Sequence, residues 1–94
     1  MIEIKVREKA IEMQGHAGQS KDGIDIVCAS ISALTCNLVN SINMLTDDKI
    51  SYEIGSGMTV IRWQKLSDKA KLLIDSWFIG ITAISEQYSC ITFI

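Results

Sequence analysis

The 94 residues carry nine Lys or Arg against eleven Asp or Glu, a net charge of −2 and a pI of about 5.2. That length holds one domain, residues 1–94, with a modest core, and the balance excludes nucleic-acid binding through clustered cations. With 48% hydrophobic and 21% charged residues, disorder is excluded as well.

Ile2, Ile4 and Val6 alternate with Glu3, Lys5 and Arg7, the period-two pattern of a half-buried strand. After a turn near Glu8 and Lys9, a second strand sets Ile11 and Met13 on one face and ends at Gly15-His16. Residues 17–24 (Ala17, Gly18, Gln19, Ser20, Lys21, Asp22, Gly23, Ile24) read as a loop by composition. Asp25 is placed to cap a helix over about residues 26–46, whose predicted buried face is Val27, Ile31, Leu34, Leu38, Ile42 and Leu45. Two strands, Lys49 to Ile54 and Met58 to Trp63, flank the glycine turn 55–57. Ser67 caps a second helix over about 68–87, with Ala70, Leu73, Ile74, Trp77, Ile81 and Ile84 as its predicted buried face. Cys90 to Ile94 is an apolar tail that allows a short final strand. The order strand-strand-helix-strand-strand-helix predicts an α+β fold: a four-stranded, mainly antiparallel sheet with two helices on one face.

Three cysteines and a single His form neither a disulfide framework nor a zinc set, so no metal or cofactor is expected. The alternating first residues are unlike a signal peptide, and the apolar runs fall short of the roughly 20 residues of a membrane span. A cytoplasmic protein without membrane contact is the expectation. In a reducing compartment a cysteine is available as a nucleophile. His16 closes a strand, and twelve residues later Cys28 lies in the first turn of a helix, with one loop joining them. A thiolate and an imidazole are what nucleophilic cysteine catalysis requires. A helix N-terminus stabilises the thiolate, and the N–H groups of Cys28 and Ala29 are placed to receive an oxyanion.

The segments Gly15-His16-Ala17-Gly18, Gly23-Ile24-Asp25-Ile26-Val27-Cys28-Ala29 and Ser32-Ala33-Leu34 resemble the ribosomal-processing cysteine protease family, Prp. The resemblance extends over nearly the whole chain, although only the central motif is specific. It implies Cys28 as nucleophile and His16 as base, with Asp25 and Ser32 at supporting positions; the loop 17–24 joins base to nucleophile, so a peptide that reaches both passes along it. It also implies a bacterial homodimer that removes the N-terminal extension of a large-subunit ribosomal protein, number twenty-seven, after a run of aromatic residues. Ser30 stands where Ala or Gly is common, and Gln19, Ser20 and Lys21 replace a loop that is often more aromatic and acidic. Those departures bear on substrate recognition rather than chemistry.

Plainer roles remain open for several residues. Asp25 orients His16 or only caps the helix. Ser32 bonds near the site or back to its own helix. Cys36 and Cys90 read as packing residues, and Trp63, Trp77 and Phe78 as core or dimer interface. The loop 17–24 is a gate in one reading, with Gly18 and Gly23 as its pivots, and an ordinary surface loop in the other. Two other functions compete. One is a non-catalytic, ribosome-associated homodimeric module; the other is a different thiol-dependent acyl hydrolase or transferase using the same pair.

Overall fold

The computed structural model describes residues 1–16, 26–55 and 57–94. Alternation at the start of the chain forms β1 (Ile2–Val6) and β2 (Ala10–Gly15), paired antiparallel with Ile4 opposite Met13. Helix α1 (Ile26–Leu45) follows, then the hairpin of β3 (Ile50–Gly55) and β4 (Met58–Trp63). Strand β4 pairs with β2, which sets Ile11 opposite Ile61. Helix α2 (Asp68–Gln87) and a short β5 (Ile91–Phe93) complete the chain.

The sheet order is β3-β4-β2-β1-β5, so the sheet has five strands rather than the four expected. Strand β5 lies parallel to β1, with Ile2 opposite Ile91, and makes the sheet mixed. Three residues are too few for a period-two pattern to stand out in a sequence. What creates the strand is the end of α2, which delivers the chain beside the start of β1. Hydrogen bonds from Ile2 N to Cys90 O (2.7 Å) and from Ile94 N to Ile4 O (2.9 Å) bracket the pairing.

Both helices cover one face of the sheet. The inward side chains of Ile4, Ile11 and Ile61 are fully buried, and each such burial stabilises the fold by about 2 kcal/mol. The opposite face carries Glu3, Lys5, Glu12 and Arg62, the polar half of the alternation. By length and composition α1 passes as a membrane span, yet here it packs as a core helix.

Its buried stripe is Val27, Ile31, Thr35, Leu38, Val39 and Ile42. Leu34 is half-buried, and Leu45, predicted to be buried, is exposed together with Met44 in the last turn, where the helix ends. Thr35 is the unexpected member. Its hydroxyl donates to Ile31 O (2.7 Å) and accepts from Trp77 Nε1 (3.1 Å), so a buried polar pair joins the two helices without an unsatisfied group. On α2, Ala70, Trp77 and Ile81 are buried, while Leu73, Ile74 and Ile84 pack against the core at its margin. Ser67 caps α2 as predicted, accepting from Ala70 N at 3.3 Å. Asp48 accepts from Ser67 N (2.8 Å) and Ser67 Oγ (2.7 Å), which ties the end of the α1–β3 connection to the start of α2.

Candidate active site

The site lies where β2 ends, α1 begins and the β3–β4 hairpin turns. Strand β2 sets His16 immediately beyond its last pair, Gly15 opposite Ile2. Gly15 has φ +108°, and a Cβ there would clash with the Met1 carbonyl oxygen, so only glycine suits this close approach. Three backbone bonds fix the surroundings. Gly15 N donates to Gly57 O (2.8 Å), the Met1 ammonium donates to His16 O (2.7 Å), and Ile2 N donates to Cys90 O (2.7 Å).

Helix α1 supplies the other wall. Cys28 is its third residue, half-buried, and the helical repeat puts Ser32, Thr35 and Cys36 on the same side. All four line one cleft of about 230 Å³, together with His16. The hairpin closes the third side with Ile54, Met58 and Thr59. Ile54 and Met58 are about half exposed and form an apolar rim.

The structure therefore brings His16, Cys28 and Ser32 to one cleft. Cys28 stands in the first helical turn, and Ala29 follows it on the exposed side. Asp25 and the loop Ala17, Gly18, Gln19, Ser20, Lys21, Asp22, Gly23 and Ile24 lie outside the described residues, and so do the expected cap and gate.

The cysteines divide differently from expectation. Cys90 is buried in the core, as a packing residue should be, with its thiol 3.7 Å from Tyr88 O. Cys36 is exposed and faces the cleft, which corrects its reading as packing. The reason is geometric: two turns beyond Cys28 the helix presents the same face. Trp63 and Trp77 are core residues, whereas Phe78 is partly exposed and stacks at a tilt on Phe93, 5.3 Å between centroids.

Sequence reasoning missed Thr35, Ile54 and Met58 as cleft residues. The step of seven from Cys28 to Thr35 was a usable signal. For the hairpin residues no local signal exists, since only strand pairing carries them to β2. Among the described residues no cluster of His, Cys, Asp and Glu has the makings of a metal site.

Residues 1–91 match the family described as cysteine protease Prp. A ribosomal processing cysteine protease Prp of Staphylococcus aureus (strain Mu50) is 35% identical over 80 residues, which span 82% of this chain and 76% of the relative. Two crystal structures of an essential ribosomal processing protease Prp from S. aureus are similar throughout. One, in complex with a covalently linked product peptide, superposes with a TM-score of 0.85 at 29% identity, over 98% of this chain and 94% of that one. The other, in complex with a substrate peptide, gives 0.81 at 28% identity, over 99% and 95%.

Proposed function

The chain belongs to the ribosomal-processing cysteine protease family, Prp, and is a cysteine protease; from that premise we propose that it removes the short N-terminal extension of large-subunit ribosomal protein number twenty-seven during ribosome maturation. The observation that carries this reading is the meeting of Cys28 and His16 at one cleft with an apolar rim. Membership in a protease family displaces the non-catalytic module as the leading alternative.

In this reading His16 takes the thiol proton, and the Cys28 thiolate attacks the scissile carbonyl carbon. The N–H groups of Cys28 and Ala29 receive the oxyanion. Collapse breaks the C–N bond, and His16 returns the proton to the leaving amine, which departs as the new N-terminus of the mature protein. Water, deprotonated by His16, then attacks the thioester, and the cut extension leaves with a free carboxylate. Ser32, one turn beyond Cys28, lies close enough along the helix to support the site. Ile54 and Met58 supply apolar surface suited to aromatic side chains ahead of the scissile bond.

The enzyme acts as a homodimer in the cytoplasm. Leu72 and Ile79 stand two turns apart on α2 and are each about 70% exposed, with Phe78, Phe93 and Ile94 nearby in sequence or contact. A stripe of that size on a small protein is suited to a second copy.

The test is direct. The purified protein is mixed with the organism's own ribosomal precursor, and mass spectrometry looks for loss of the extension. Cleavage at one bond after aromatic residues is expected. An intact precursor, with a Cys28 thiol that still alkylates readily, overturns the substrate while leaving the protease.

A further inference from the structure

The β3–β4 hairpin does more than close the cleft. Gly57, at its turn, has φ +73°. A Cβ built on Gly57 would lie 2.7 Å from Nε2 of His16, 3.3 Å from Cε1 and 3.4 Å from Cδ2. The imidazole therefore lies against the hairpin backbone, in space that only a glycine leaves open. The same residue also holds the main chain beside His16, because Gly57 O accepts from Gly15 N at 2.8 Å. One hairpin residue thus meets both the His16 ring and the backbone of Gly15, the residue before it.

We propose that Gly57 is a positioning residue for His16: the missing side chain gives the imidazole a flat seat, and the carbonyl fixes the strand end from which the ring projects. This inference rests on the reading of His16 as base. A ring held on one side by backbone has fewer rotamers to search, and a base misplaced by about 1 Å loses on the order of 10²-fold in rate. Gly57 also lines the cleft, so its effect through His16 is separated from any contact with substrate by testing it with and without the imidazole.

The experiment uses Gly57→Ala and Gly57→Asn. Asn tolerates positive φ far better than Ala, yet both carry a Cβ, so strain and ring displacement separate. Rates of Cys28 alkylation by iodoacetamide are followed from pH 6 to 9 in a Cys36→Ser background, with Cys90 buried, alongside precursor cleavage. Both variants are expected to lower the alkylation rate at neutral pH by about tenfold and to move its inflection toward that of an ordinary thiol, about 8.5. In a His16→Ala background the same substitutions should change nothing further, because the ring they displace is gone. Equal losses with and without His16 overturn the proposal, and so does full activity in a folded Gly57→Asn protein. His16 is the one imidazole in the chain, so its ring Cε1–H proton resonance reads the contact without reference to catalysis. A resonance unmoved by Gly57→Asn overturns the seat itself. A moved resonance with His16→Ala fully active keeps the contact and overturns the base, and with it the catalytic role of Gly57.

Discussion

The two ends of the sheet are held together by different means. At one end, Gly15, His16, Gly57, Met1 and Cys90 are joined almost wholly through backbone bonds, with two glycines at positive φ. At the other, side chains add to the backbone bonds from Arg7 N to Ala10 O (2.7 Å) and from Trp63 N to Lys9 O (3.1 Å). Thr46 bonds back to Ile42 O (2.7 Å) and accepts from Asp48 N (3.1 Å), and Asp48 reaches across to Ser67. Arg7 Nε there lies 2.6 Å from Glu12 Oε2. Backbone joints leave side chains at the first end available to face a cleft. Capped connections at the second end satisfy the loop and helix termini, and that end is suited to stability rather than chemistry.

If that division holds, substitutions at the two ends fall into separate classes. The largest effect belongs to Cys28→Ala, which should abolish precursor cleavage and leave the far-ultraviolet circular dichroism of the parent. Turnover near the parent rate would remove Cys28 as nucleophile. Next comes His16→Ala, expected to lower kcat by about 10²–10⁴-fold with little change in thermal midpoint. A large fall in stability instead would mean that the ring holds this end together and that the two ends do not divide as drawn.

Effects at the capped end should be smaller and should appear in stability alone. Ser67→Ala removes the side-chain cap of α2 and is expected to cost about 1 kcal/mol in urea denaturation with kcat unchanged. Asp48 adds a pH signature. The Ser67 backbone N–H, and then its hydroxyl, hold the Asp48 carboxyl below its usual range. Its contribution is therefore present above the unfolded-state value of about 4 and is lost as pH falls through the lower folded value. Asp48→Asn should flatten the acid limb of stability below about pH 4, and an unchanged limb would show that this network is not titrating.

The smallest effect is expected from Arg7→Ala. Its pair with Glu12 is short, but the two side chains are 54% and 36% exposed, and solvent screens such pairs. The urea midpoint should not move measurably at 0.15 M salt. A clear shift would sharpen the comparison by showing that the sheet's polar face also carries stability at this end.

Local pattern alone determined most of the elements. Period two in residues 2–6 and steps of three and four in 26–45 and 68–87 are read without knowing any partner, because each pattern follows from the geometry of its own backbone. That Cys28 and His16 share one cleft was likewise legible, since they are twelve residues apart and the motif around them is specific. Tertiary structure decided the rest. Strand β5 exists because α2 returns the chain to β1. Thr35 is buried because Trp77, on the other helix, gives its hydroxyl a partner. Gly57 reads in the sequence as an ordinary turn glycine, and only the β2–β4 pairing lays it against His16. Contacts between elements distant in the chain leave no periodic trace, so the wall of the cleft and the seat of the imidazole became visible only in the folded protein.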